Sequence, residues 1–215
     1  MTDKSETQRL AAGVEALGQS MTDKQLAQLV GLLDELERWN RRINLTAVRD
    51  REQMLPLHLF DSLAVRPYLN GRRVLDVGTG PGFPGLPLAV AEPEREFVLL
   101  DSNDKKVQFV DHAAASLGLG NVTAVRARAE DFAPGERFDT VIARAVAELA
   151  TLADIAGHHV REDGVFVAQK GRYPAKELEQ LSGHWGYTVA ALSVPGLEDG
   201  SRHLVLMTPG DRRQR

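Results

Sequence analysis

Cysteine is absent from the chain. Disulfides, thiolate metal sites and iron–sulfur clusters are thereby excluded, as is any reaction that runs through a cysteine nucleophile. Long apolar runs are missing too. Nothing approaches the roughly 18 residues that a bilayer span requires. Residues 1–9 are polar with no signal-type stretch behind them, so the chain is expected to be cytoplasmic, with no membrane partner. The six histidines are scattered, and the adjacent His158 and His159 are expected on different faces of a helix; no metal site is expected. An excess of positive charge is lacking as well. The formal net charge is -4, which argues against a protein that coats nucleic acid over its whole surface but leaves room for a local basic patch.

What is present is an ordinary globular composition, 43% apolar and 26% charged over 215 residues, enough for one good-sized domain with an appendage. In residues 22–43, Leu26, Leu29, Val30, Leu33, Leu36 and Trp39 recur at helical spacing behind a Thr22–Gln25 capping box. A second helical stretch over residues 52–68 is interrupted near Pro56 and again near Asp61 and Ser62. After Asn70 and Gly71 strands begin, over residues 73–77, 96–101, 121–126, 138–143 and 164–169. Helical stretches through Lys105, Phe109 and Leu117, over residues 148–159 and from Pro174 to Leu181 separate them. Such alternation implies a mainly parallel sheet covered on both faces. Two last strands, 186–194 and 202–207, are expected to form an antiparallel ending. The expected division is a helical extension over residues 1–70 and an α/β domain over residues 71–215, with a loose tail at 211–215.

The segment Leu75-Asp76-Val77-Gly78-Thr79-Gly80-Pro81-Gly82-Phe83-Pro84-Gly85 is the most informative. Glycines directly after a strand let backbone approach a ligand at the sheet's C-terminal edge. Gly80, Gly82 and Gly85 fit a dinucleotide fingerprint, a weak match alone. Two features point away from it. Asp76 would repel a pyrophosphate and would favour a cation, such as the amino group or sulfonium of S-adenosylmethionine. Pro81 and Pro84 remove amide donors that a pyrophosphate would use. Asp101, closing the next strand, can accept ribose hydroxyls, or merely cap the following helix. Ala129, Glu130 and Asp131 fall where an adenine edge would lie, or form a plain helix cap.

The motifs occur in a recognisable series: Trp39-Asn40, Asn44-Leu45-Thr46, His58 with Asp61-Ser62-Leu63, the glycine-rich segment, Ala129-Glu130, Ala143-Arg144-Ala145 and Lys170-Gly171. From about Leu32 to Met207 the chain resembles the bacterial 16S rRNA guanine-N7 methyltransferases, the glucose-inhibited division protein B family. The resemblance implies a Rossmann-like class I S-adenosylmethionine methyltransferase with a mainly parallel seven-stranded sheet. It implies S-adenosyl-L-methionine as methyl donor and no metal. The implied partner is 16S ribosomal RNA, or a small-subunit assembly particle, with a guanine of the decoding-region loop as acceptor; the chain itself is expected to be a monomer. Implied cofactor contacts are Gly78, Phe83, Ala129, Glu130 and Arg144, beside Gly80 from the turn itself and Asp101 from the end of the next strand.

Guanine N7 carries a free lone pair, so its methylation needs no general base, only alignment. No catalytic base is assigned. Arg144 is expected to orient guanine or cofactor, the plain alternative being a strand-end salt bridge. Lys170 reads as a phosphate or base contact, or as a solvated lysine. His58 and Asp61, three apart on a helix, form either a pair near the pocket or a structural tie. Asn40, Asn44 and Thr46 divide between capping and substrate contact. Between Arg38 and Arg51 five arginines face one acid, Asp50, a patch suited to RNA phosphates or simply a solvated face. The rival enzymatic readings are a small-molecule methyltransferase and a nicotinamide-dependent oxidoreductase.

Overall fold

The computed structural model describes residues 4–181, 183–198 and 200–210; the basic tail expected to be loose lies outside them. Seven strands form one sheet: β1 (Arg73–Val77), β2 (Glu96–Asp101), β3 (Val122–Arg126), β4 (Phe138–Arg144), β5 (Val160–Lys170), β6 (Trp185–Ala191) and β7 (His203–Pro209). Their order is β3-β2-β1-β4-β5-β7-β6. The pairings from β3 through β5 are parallel, and β7 runs antiparallel between β5 and β6. This matches the expected parallel sheet with an antiparallel ending. Strand order reverses between β1 and β4, the position where open α/β sheets place their ligands.

Before the sheet come α1 (Lys4–Ala16), α2 (Asp23–Asn40), α3 (Arg51–Met54), a π-helical segment (Leu55–Phe60) and α4 (Asp61–Leu63). Within it α5 (Gly85–Ala91), α6 (Asp104–Leu117), α7 (Leu149–Ala156) and α8 (Ala175–Gln180) connect the strands. The Thr22–Gln25 capping box is formed and opens α2. The break foreseen near Pro56 is a change of helix type, with the proline in the first turn of the π segment. That segment widens the helix for one turn, as such bulges do at functional positions. Among the described residues no helix is long and apolar enough to cross a membrane.

The central strand shows why the sheet forms. Every residue of β1 after Arg73 is buried, as expected of a strand covered on both faces. Val74 joins an apolar cluster with Leu10, Leu29, Leu36, Leu99 and Ile142, whereas Leu75 and Val77 join the opposite cluster with Val141, Leu149, Leu152 and Phe166. The helices ahead of the sheet therefore share one continuous core with its first face.

α1 had no counterpart in the sequence reading, because Leu10 and Val14 are too sparse to register as a period. Both are nonetheless almost fully buried, and Gly13 lies so close to the Phe60 ring that a Cβ there would fall 2.1 Å from it. Arg51 locks this corner. It reaches Glu6 on α1 at 2.7 Å and Asp34 and Glu37 on α2 at 2.7 and 3.3 Å. Glu6 is itself buried, so removing its partner strands a carboxylate away from water. Arg51→Ala is expected to lower unfolding stability by roughly 3 kcal/mol, measured by denaturant titration.

Candidate functional site

 The chain leaves β1 into a turn in which φ is 66° at Gly78, 60° at Gly80 and 88° at Gly82, a region that glycine enters without steric cost. Two glycines are also required by contact. A Cβ on Gly78 would lie 2.6 Å from the Val146 side chain, and one on Gly85 would lie 2.7 Å from Asp76 Oδ2. Gly80 faces open space.

Asp76 holds this turn together. It lies on the sheet face toward α5, at 1% exposure, and its Oδ2 accepts from Thr79 Oγ1 at 2.6 Å and from Gly85 N at 2.9 Å. Oδ1 is buried without a partner. Burial pushes the Asp76 carboxyl up to about 6, against the opposing pull of the Thr79 and Gly85 hydrogen bonds and the Arg144 charge. An unpartnered acceptor in that position fits a cationic ligand group.

The rest of the turn is closed to phosphate. The amides of Thr79, Gly82, Phe83 and Leu86 donate to backbone carbonyls, those of Gly80 and Gly85 donate to Asp101 and Asp76, and Pro81 and Pro84 have none. From residue 79 to 86 no amide hydrogen is left for a pyrophosphate, which counts against a dinucleotide despite the glycine spacing.

Asp101 ends β2 beside the turn. Its Oδ2 accepts from Gly80 N at 2.9 Å and its Oδ1 from Asn103 N at 2.8 Å, and each oxygen keeps a second lone pair for a hydroxyl. The helix-cap reading of Asp101 is corrected: Asn103 caps α6, accepting from the Lys105 and Lys106 amides. After β3, Ala129 is buried and Glu130 exposed. The Ala129 carbonyl accepts from His159 Nε2 at 2.8 Å, so its own hydrogen bonding is already fixed from α7's side of the sheet. The two adjacent histidines do not diverge as expected, since a 3-10 turn brings their rings to 3.9 Å between centroids.

Arg144 ends β4. Its Nη1 donates to Asp61 Oδ2 at 3.2 Å and to the Leu57 carbonyl at 3.3 Å, and its guanidinium lies 5.8 Å from the Phe83 ring centroid. Phe83 is buried and stacks on His58 at 4.7 Å. Asp61 also accepts from Arg202 Nε at 3.2 Å, and its carbonyl accepts from Gln169 Nε2 at 3.0 Å. His58 and Asp61 thus share a face without pairing: His58 Nε2 meets Thr46 Oγ1 at 3.2 Å. Burial, followed by the Arg144 charge, lowers the His58 pKa to about 4.

Lys170 is neither solvated nor open to a phosphate. Its Nζ donates to Ala147 O at 2.8 Å and pairs with Glu177 at 2.6 Å, because α8 places that carboxylate over the strand end. Glu177 also accepts from Leu149 N, so the two residues fix the loop 145–148, where Ala145 has φ 55°. The arginine patch is smaller than the sequence suggested: Arg51 is neutralised inside its acid cluster and Arg38 pairs with Glu35 at 3.1 Å. Arg41, Arg42 and Arg49 remain exposed. Asn40 closes the turn after α2 through Leu45 N and Thr46 N, and Asn44 accepts from Arg49. Thr79, Gln169 and Arg202 escaped the sequence reading. Thr79 had a local signal, a hydroxyl three residues after Asp76, whereas Gln169 and Arg202 meet partners more than a hundred residues away.

The family model described as rRNA small subunit methyltransferase G matches residues 25–205. A ribosomal RNA small subunit methyltransferase G from Idiomarina loihiensis is 50% identical over 193 residues, covering 89% of this chain and 91% of that protein. One from Psychromonas ingrahamii is 48% identical over 186 residues, 86% and 89% of the two chains. Among solved structures, cofactor-bound Rv0187 from MTB superposes with a TM-score of 0.57 at 20% identity, over 88% of this chain and 90% of that one. A SAM dependent methyltransferase from Aquifex aeolicus gives 0.53 at 19% identity, over 74% and 93%. These two likenesses show the Rossmann-like methyltransferase fold.

The His58 environment has a pH consequence. Its folded pKa of about 4 lies below the unfolded value near 6.5, so below pH 6.5 the unfolded chain takes up a proton that the folded chain refuses. The His58 contribution to stability is complete above pH 6.5 and is lost as pH drops toward 4, with a slope of at most about 1.4 kcal/mol per pH unit, while Asp76, raised to about 6, contributes a slope of opposite sign over part of the same window. Denaturant titrations across that window should show the His58 slope as the difference between the native chain and His58→Gln, which is expected to lose less stability on acidification.

Proposed function

The chain belongs to the rRNA small subunit methyltransferase G family, and from that premise we propose that it methylates N7 of a guanine in the decoding-region loop of 16S ribosomal RNA. The methyl donor in this reading is S-adenosyl-L-methionine. The observation that carries the donor's identity is the buried, unpartnered Asp76 Oδ1 beside a turn whose amides from residue 79 to 86 are all engaged. We take the enzyme to act in the cytoplasm, as a monomer, on 16S RNA or a small-subunit assembly particle.

The residues divide the work. Asp76 accepts from the donor's ammonium group and balances its positive charge. Gly78 and Gly80 let the backbone come close, and Asp101 receives the ribose hydroxyls on its remaining lone pairs. Ala129 and Glu130 border the adenine, and Phe83 forms the floor of the turn under His58 and Arg144. When bound, the donor supplies an electrophilic methyl carbon on a sulfonium. The N7 lone pair forms the new N–C bond as the S–C bond breaks, sulfur keeps that electron pair, and the positive charge passes to the base. No proton moves, so neutral His58 and buried Asp76 are not required as bases.

Arg144 orients the acceptor. Its guanidinium can donate to guanine O6 and leave N7 free, while Asp61 and the Leu57 carbonyl set its position. Exposed Arg41, Arg42 and Arg49 contribute phosphate contacts.

The test is to incubate small-subunit RNA with labelled donor and map the product. N7-methylguanosine in the decoding-region loop is expected; label on another atom or only on small molecules overturns the reading. Arg144→Ala should lower turnover by about a hundredfold or more while Arg202 keeps Asp61 paired and the fold intact by circular dichroism.

Donor binding should also follow Asp76. Only its ionised form attracts a cation, and its pKa is about 6. Affinity for S-adenosylhomocysteine, measured by calorimetry, is expected to weaken as pH falls below 6 and to lose that dependence in Asp76→Asn.

A further inference from the structure

One surface on the same sheet edge has no part in the reaction above. β5 ends at Lys170, anchored on Ala147 and Glu177, and α8 starts at Ala175. The connection between them is short, and its last residue, Pro174, is buried. Tyr173 stands on this fixed base at 57% exposure, touching His203 edge-on at 5.6 Å.

An exposed ring of this kind is uncommon here. Among the described residues the exposed large apolar side chains are Val146, Tyr173 and Tyr187. Tyr187 lies in the outermost strand, β6, while Val146 and Tyr173 follow the C-terminal ends of β4 and β5. The neighbours of Tyr173 are not apolar: Gly171, Arg172, Ala175 and Lys176 are exposed. Arg172 and Lys176 have no ion-pair partner among the described residues. A lone ring between two unpaired cations is poorly suited to a dry protein interface, whose centre is depleted of charge. It suits a single-stranded nucleic acid, which offers a π-face to the ring and phosphates to the cations.

The position also connects to the site. His203 follows Arg202, whose Nε holds Asp61, and Asp61 holds Arg144. Resting on the RNA reading above, we propose that Tyr173 is a stacking platform for an unpaired base of the RNA substrate other than the methylated guanine. Arg172 and Lys176 take the adjoining phosphates. The anchored connection presents the ring already ordered, which limits the entropy lost on binding.

The experiment uses the full chain and an RNA containing the target loop. Tyr173→Ala should raise KM for RNA about 5- to 150-fold, the range for losing one stacked base. Tyr173→Phe, which keeps the ring, should stay near the native value, and affinity for S-adenosylhomocysteine should be unaffected in both. A scan of single abasic substitutions around the target guanine adds the decisive readout. One position should cost the native enzyme a similar factor and cost Tyr173→Ala nothing further. The platform is overturned if Tyr173→Ala binds RNA normally, if Tyr173→Phe loses as much, or if every abasic penalty persists in Tyr173→Ala. A native enzyme that binds S-adenosylhomocysteine but leaves this RNA unmethylated overturns the functional reading and the platform with it; one that methylates it while Tyr173→Ala is indifferent overturns the platform alone.

Discussion

A single carboxylate oxygen organises the ligand edge of this molecule. Asp76 Oδ2 accepts from Thr79 Oγ1 and Gly85 N and so joins the beginning of the glycine-rich turn to the start of α5. The geometry of everything beyond follows from that closure. Gly85 must lack a side chain because Asp76 occupies its place, and Gly80, held by Asp101, is left facing open space. The second oxygen of Asp76 remains unmatched. Keeping an unmatched buried acceptor is costly to the folded state, and the cost is concentrated where a positively charged ligand would relieve it.

A second carboxylate performs the corresponding task for Arg144. Asp61 comes from the helices ahead of the sheet and binds one arginine at the end of β4 and another just before β7. Those helices are consequently part of the site and not merely packed beside it. The π-helical turn matters here, since it sets His58 on Phe83 and brings Asp61 under Arg144 within one short stretch.

Much of this was legible in the sequence, for local reasons. β1 and β2 are short, largely apolar runs, α2 opens on a capping box, and the turn's glycines and prolines crowd into eight positions; each signal lies within a dozen residues. What could not be read depended on partners carried by other elements. Lys170 looked open because Glu177 is placed over it only once α8 packs. Arg51 looked like part of a basic patch because Glu6, Asp34 and Glu37 come from two other helices. α1 was invisible because its burial depends on a few positions, with Gly13 fitted against Phe60. Local periodicity specifies elements, while the ionic state of a side chain is specified by assembly.

The Asp61 junction has a consequence for biosynthesis. Its two arginines lie 83 and 141 residues further along the chain. During synthesis Asp61 emerges long before either, and the last to arrive, Arg202, comes within a few residues of the final strand. The arginine-bound arrangement can therefore be completed only after residue 202 has been made, so a chain arrested before it carries the glycine-rich turn without the finished Asp61 junction.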